Sequence, residues 1–336
     1  MQGLVLEQVG LVAIGRNEGP RLEQCLRSVL GKVLEIVYVD SGSTDGSVAM
    51  ARSIGISVIS LDLSIPFTAA RARNAGLEYL REIAPSTEFV QFVDGDCEVI
   101  QGWLEAAVQA FETYPDVVAV CGWVKERYPE QSVYNRICSV EWLTGVLGFI
   151  PSFAGNVMIR VDALVGAGGF NPSLIAGEEG ELSIRLRQQG GHILRIDQDC
   201  IWHDTHMHYF SQWWQRAKRC GYAYAQVSYL YRATPEGLFR REIRRAWLWG
   251  AILPLVFLGL ASVTSGISLL GFMRYPFVAL NVANETQKRG FRWNESIPWG
   301  ISCAISVFPG VLGIIKFWFI QWNGKPHVII EHKLIA

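Results

Sequence analysis

The chain has 336 residues, 50% of them hydrophobic and 18% charged, with a formal net charge of -1. That is too apolar for a disordered polymer and long enough for one large domain with an appendage. It also lacks the basic excess of a nucleic-acid binder, so no nucleic-acid partner is expected.

The seven cysteines form no C-x-x-C pair and no zinc-finger spacing, and read as reduced thiols of a cytosolic setting and core filler. No basic region followed by an apolar run opens the chain, so no cleaved signal peptide is expected. From there the chain reads as alternating strands and helices. Val9 to Ile14 is a strand that ends in Gly15-Arg16-Asn17-Glu18-Gly19-Pro20. Leu22, Cys25, Leu26, Val29 and Leu30 have helical spacing. The strand Glu35 to Val39 delivers Asp40, and a polar loop, Ser41 to Ser47, leads into a helix near Val48 to Ser53. Ile56 to Ile59 is a third strand. Phe67 to Leu80 reads as a helix carrying Arg71, Arg73 and Asn74.

The next strand is Phe89-Val90-Gln91-Phe92-Val93, and it ends in Asp94-Gly95-Asp96. Positions i and i+2 of an extended segment point the same way, so two carboxylates project from one strand end. They repel each other unless a positive group lies near, and a divalent cation is one answer. The alternative is a solvated turn, where Asp and Gly are common. Alternating strands and helices at this spacing predict a parallel sheet with helices on its faces. Ligands of such sheets bind at the carboxyl ends of the strands, where Glu18, Asp40 and Asp94 all fall.

Further on, Trp103 to Phe111 is helical, Val117 to Val120 is a strand, and Val133 to Phe149 reads as one helix. Phe153 to Ile159 is a strand with small residues that leave room for a ligand. Gly168-Gly169-Phe170-Asn171-Pro172 is a turn-rich loop, and Gly177-Glu178-Glu179 opens the helix Leu182 to Gln189. Glutamates in a first turn also suit the helix dipole, a purely structural account of Glu178 and Glu179.

Taken in order, Ile14 to Glu18, Val39 to Gly46, Ala72 to Gly76, Asp94-Gly95-Asp96, Gly168-Gly169-Phe170 and Gly177-Glu178-Glu179 with Arg185-Leu186 resemble the nucleotide-sugar-dependent glycosyltransferases of family 2. The resemblance implies a GT-A fold, an α/β architecture with a mixed, mainly parallel sheet between helices. It also implies a UDP- or GDP-sugar donor and a divalent metal, Mn2+ or Mg2+. By the same resemblance Asp40 receives the nucleobase with Glu18 nearby, Arg73 lies near the uracil or diphosphate, and Asp94 faces the ribose or a metal-bound water. Asp96 binds the metal, and Glu179 matches the general base, although the family more often has Glu-Asp where this chain has Glu178-Glu179. His203, after the base helix, matches a metal-completing histidine, with His206 and His208 left to the acceptor entrance or the surface.

The chemistry agrees. Displacing a nucleoside diphosphate needs a cation at the leaving group and a carboxylate to take the acceptor's proton. One base in a single displacement inverts the anomeric carbon. Retention on the same fold and a non-catalytic nucleotide-binding scaffold are the alternatives. A dinucleotide oxidoreductase lacks its G-x-G-x-x-G.

Phe210 to Tyr231 mixes aromatics with Arg and Lys, as at the headgroup level of a membrane. Arg240, Arg241, Arg244 and Arg245 precede an uncharged run from Ala246 to Met273, and Ser296 to Ile315 is a second apolar stretch. Both are long enough to cross a bilayer. Two crossings would put Arg274, Lys288, Arg289 and Arg292 outside, against the positive-inside rule, whereas re-entrant hairpins broken at Pro254 and Pro309 would keep every basic cluster on one side. The expectation is a catalytic domain over 1–235 and a hydrophobic helical region over 236–336 attached to the cytoplasmic face of the inner membrane. The acceptor is then a cell-envelope glycan or lipid-linked glycan.

Overall fold

The computed structural model describes residues 6–233 and 238–324. By packing it divides into two compact units. One comprises residues 6–127, 145–173 and 178–205; the other takes 128–144, 174–177 and the described residues from His206 onward. The sequence places a single boundary near 235; the helical unit here also collects two earlier segments.

The first part of the chain alternates as expected: β1 (Leu6–Gly15), α1 (Pro20–Val29), β2 (Val33–Asp40), α2 (Ser47–Ser53), β3 (Ser57–Ser60), α3 (Ala69–Ile83) and β4 (Phe89–Asp94). Then come β5 (Cys97–Val99), α4 (Trp103–Thr113), β6 (Val117–Glu126), α5 (Val133–Leu143), β7 (Gly148–Phe149), β8 (Val157–Arg160), α6 (Val161–Gly166), α7 (Glu178–Gln188) and β9 (His192–His203). All strands join one mixed sheet in the order β3-β2-β1-β4-β8-β6-β9-β5, with β7 on β9. The β1–β2, β2–β3 and β1–β4 pairs are parallel, and β8 is antiparallel to both β4 and β6.

Period-two alternation in β1 sorts the two cores. Val9, Leu11 and Ala13 face α1 and α4 through Leu22, Leu26, Trp103 and Phe111. Val12 and Ile14 face α3 and α7 through Leu77, Leu80, Leu182 and Leu186. Helix α3 lies close on the sheet because Gly76 has no side chain; a β-carbon there would stand 2.3 Å from Val12.

Two expectations change. The helix expected over Val133 to Phe149 stops at Leu143, and Gly148, at φ +84°, turns the chain into β7. Strand β9 is twelve residues long and was not expected. Its burial does not alternate, since its pairing with β6 shifts register at Trp123, and period two is therefore lost.

The helical unit adds α8 (Phe210–Leu230), α9 (Arg240–Trp247), α10 (Leu253–Gly259), α11 (Arg274–Lys288), α12 (Trp293–Ile305) and α13 (Val307–Trp322). α8 and α13 come into backbone contact through glycines: a β-carbon on Gly221 would stand 2.1 Å from the Gly310 carbonyl oxygen. Around them pack Ile175, Tyr222, Ala246, Val311, Ile314 and Phe317. Together α12 and α13 form one helix, Trp293–Trp322, long and apolar enough to cross a membrane, with 44% of its most apolar window buried within the protein.

The run from Ala246 to Met273 is not a single helix. Its first turns widen over Leu248–Ile252, ahead of Pro254, which lacks an N–H and would crowd the carbonyl of Gly250. After Gly259 the chain turns, and Ile267–Met273 returns as a tight helical segment.

Candidate active site

Parallel pairing sets the frame of the site. Ile14 lies in register with Asp94 and Gly15 with Asp40, so the two aspartates flank the end of β1. Gly95 donates to the Ile14 carbonyl at 2.8 Å, and a β-carbon on Gly95 would crowd Glu18 and that carbonyl at 3.2 Å.

Asp40 is buried and holds the loop that follows it. It accepts from the Tyr38 hydroxyl and from the Gly42 and Ser43 amides, each at 3.0 Å. Three of about four acceptor positions are thereby filled. Glu18 is buried and pairs with Arg21 at 2.7 Å. Asn17, in a left-handed conformation at φ +54°, ties the β1–α1 loop to the β2–α2 loop through Ser43 and Thr44.

Arg73 of α3 is the centre of the site. Its side chain is 3% exposed and meets Asp94 at 3.1 Å, Glu178 at 2.9 Å and Glu179 at 3.2 Å. Burial works against a charged guanidinium, but the surrounding carboxylates of Glu179, Asp94 and Glu178 hold it protonated, above its ordinary value. Its guanidinium also lies over the Phe170 ring. That ring is held in place by Asn74, which donates to the Phe170 carbonyl at 2.7 Å and accepts from its amide at 2.8 Å.

The two adjacent glutamates are not equivalent. The Glu178 side chain is 3% exposed and that of Glu179 20%. Burial, then the neighbouring Glu178 charge, push the Glu179 carboxyl up from 4.5 to about 7, against the pull of Arg73. Gly155 borders the group: a β-carbon there would stand 2.8 Å from Arg73 and 3.3 Å from Glu179. The strand expected from Phe153 begins only at Val157, and Gly155 ahead of it lets the backbone pass close against Arg73 and the carboxylates.

Asp96 faces a different partner. Antiparallel pairing of β5 with β9 sets Cys97 opposite His203. His203 Nε2 lies 3.1 Å from the buried Asp96 carboxylate. Asp96, Cys97 and His203 bring one ligand atom each within 4.8 Å of one another. A buried carboxylate beside an imidazole is a donor set that fits Mn2+ or Mg2+ and leaves coordination positions for phosphate oxygens and water.

The candidate donor, metal and base residues thus all lie in the sheet unit: Asp94, Glu178 and Glu179 on Arg73, Asp96 with His203, Asp40 at the end of β2 and Glu18 in the loop after β1. His206 and His208 meet edge to face in the helical unit. The sequence reading missed Asn156, which accepts from the Asp94 amide at 3.4 Å and donates to Cys97 at 3.6 Å. Its place directly after Gly155 was the signal.

The family model for glycosyltransferase family 2 matches residues 12–169. Over 187 residues the chain is 27% identical to glycosyltransferase AglE of Haloferax volcanii, covering 52% of this chain and 59% of that protein. It is 31% identical over 137 residues to a TPR repeat-containing protein of Synechococcus elongatus, covering 40% of this chain and 32% of that protein. The chain therefore spans less than two thirds of either relative.

Among solved structures, the mannosyltransferase PcManGT of Pyrobaculum calidifontis, in complex with GDP-Man and Mn2+, superposes with a TM-score of 0.59 at 18% identity, over 94% of this chain and 88% of that one. Residues 1–349 of S. aureus TarS give 0.52 at 12% identity, over 89% of this chain and 90% of that one. Residues 12–169 are thus similar to glycosyltransferase family 2, and the mixed α/β sheet has the GT-A fold of the solved neighbours.

Proposed function

We propose that this protein transfers a sugar from a nucleoside-diphosphate donor to an acceptor hydroxyl, with inversion, at a membrane surface. One observation carries the reading: the partly exposed Glu179, raised to about 7, is tied through Arg73 to Asp94, two residues from the buried Asp96 that meets His203. A base poised near neutral pH on one side and a hard-cation site on the other are what the displacement requires.

In this reading Glu179 takes the proton of the attacking hydroxyl, and Arg73 aims it while balancing Asp94 and Glu178. Asp40 offers its remaining acceptor position, with Glu18, to the nucleobase of the donor. Asp94 faces the ribose. Asp96 and His203 would hold a divalent cation, which supplies positive charge to the departing diphosphate. Calorimetry with UDP- and GDP-sugars, with and without Mn2+, tests the donor site, and GDP-mannose is the first to try. Metal-independent binding of every donor would refute the metal assignment. The anomeric configuration of the product separates inversion from the retaining alternative.

Membrane attachment is supported by the surface of the segment between α9 and α11. Leu255, Leu258, Val263, Ile267, Leu270 and Met273 are each 59–81% exposed. Water-facing apolar surface of that extent marks a lipid or protein partner. The segment is a hairpin. Ser268 donates to the Phe257 carbonyl at 2.7 Å, and Phe257 and Phe272 meet edge to face at 5.5 Å. A hairpin dipping into one leaflet keeps Arg240 to Arg245 and Arg274 on one side, as the positive-inside rule asks of the cytoplasmic face. A lipid-linked or cell-envelope glycan acceptor follows from that location. Full-length protein that stays monodisperse without detergent and ignores vesicles would refute the membrane claim.

A further inference from the structure

At the base of the hairpin a cavity of about 340 Å³ is lined by Arg241, Arg245, Trp249, Arg274 and Tyr275. We propose that it is a clamp for the phosphate of an anionic membrane lipid, a proposal that rests on the membrane attachment argued above. The guanidiniums come from both limbs. Arg241 and Arg245 are one turn apart on α9, so they share a face. Arg274 comes from the returning limb and lies 4.9 Å from the Trp249 ring. The Tyr275 hydroxyl donates to the Trp249 carbonyl, which fastens the limbs together at that level.

No carboxylate lines the cavity, and among the described residues none of the three arginines is in an ion pair. Three like charges drawn together without a counter-charge repel one another, which a bound anion relieves. Among the described residues Arg245 donates to the Cys303 carbonyl at 2.7 Å. Directly beyond the cavity begin the exposed apolar side chains of the hairpin, including Ile252 and Leu255. Tryptophan, tyrosine and arginine at the foot of an apolar segment is the composition of the headgroup level, and basic pockets between helices there bind lipid phosphates.

The opposite flank of α9 gives an internal comparison. Arg240 and Arg244 line a second cavity with Arg232, Tyr229 and Trp318. There Arg232 is already engaged, 4.1 Å from the Tyr229 ring and donating to the Tyr229 carbonyl at 2.7 Å. Arg244 donates to the Arg240 carbonyl. That cavity also lacks a contribution from the hairpin.

The test uses the full chain in co-sedimentation with phosphatidylcholine vesicles, with and without phosphatidylglycerol. Arg241→Gln with Arg245→Gln should weaken binding to the anionic vesicles by about 30-fold and leave binding to phosphatidylcholine unchanged. Arg240→Gln with Arg244→Gln removes the same charge and should cost less than about 5-fold. Arg274→Gln, a single exposed change on the other limb, should cost about 5-fold, which keeps the proposal testable if the double variant misfolds.

Equal losses from the two pairs would mean diffuse attraction by a basic helix and overturn the clamp. Inorganic phosphate that binds the detergent-solubilised protein tightly and displaces it from anionic vesicles would make free phosphate the ligand, and also overturn it. A wild-type protein that binds neither vesicle would sink the membrane reading itself. One that binds both equally, unaffected by the arginine changes, would refute the clamp alone.

Discussion

The two units handle charge in opposite ways. The sheet unit gathers three carboxylates around one buried guanidinium, Arg73. The helical unit gathers Arg241, Arg245 and Arg274 around a cavity with no carboxylate. Burial explains the difference. Arg73 and Glu178 are both about 3% exposed, and charges so far from water must be balanced within the chain. Those three arginines of the helical unit are exposed, so water or a ligand can balance them. The first arrangement is therefore a fixed electrostatic platform, and the second is a receptor.

Breaking the platform at Glu179, the proposed base, should give the largest effect. Glu179→Gln should lower turnover by about two to four orders of magnitude while donor affinity stays, measured by steady-state kinetics beside calorimetry. Glu178→Gln is the control, and a larger loss there would move the base by one residue. With its carboxyl raised to about 7, Glu179 should make wild-type turnover rise with pH through that value.

The same shift has a stability consequence. A carboxyl raised in the folded state favours folding fully below its unfolded value of 4.5, and that contribution is lost as pH rises through about 7. Glu179→Gln should thus melt above the wild type at about pH 8 and not at about pH 4. A Tm difference independent of pH would contradict the raised carboxyl.

Arg73→Met tests the centre of the platform. It leaves Glu178 buried without its partner and should destabilise the protein by about 3–5 kcal/mol in denaturant unfolding. Restoring part of that loss with Glu178→Gln in the same chain would show that the unpaired carboxylate, and not packing, is the cause. Asp96→Asn should lower metal-dependent turnover by about 10²–10³-fold and abolish the effect of Mn2+ on nucleoside-diphosphate affinity, with the melting temperature near that of the wild type.

On the receptor side the hairpin is the place to intervene. Leu258→Asp puts a charge on a side chain that is 59% exposed. It should weaken vesicle binding by about 2.5–3.5 kcal/mol and leave the unfolding midpoint in detergent unchanged. Truncation after Phe239 is a poor probe of the same question, because α8 would lose α13, against which Tyr222 packs at Phe317.

What the sequence determined by itself is local and periodic. Apolar runs at Val9 to Ile14 and Phe89 to Val93, and helical spacing in Leu22 to Val29, specified the parallel half of the sheet and placed Asp40, Asp94 and Asp96 at strand ends. That follows from period and chain direction alone. Tertiary structure decided the rest. Register between distant strands brought His203 to Asp96, 107 positions away. Packing of α3 against α7 gave Arg73 to Glu178 and Glu179, over 105 and 106 positions, and separated two adjacent glutamates by burial. Strand β9 went unrecognised because its pairing shifts erased the alternation. Hydropathy of 246–273 measured length without direction, and only the widened turn before Pro254 and the Phe257–Phe272 contact folded that run back on itself.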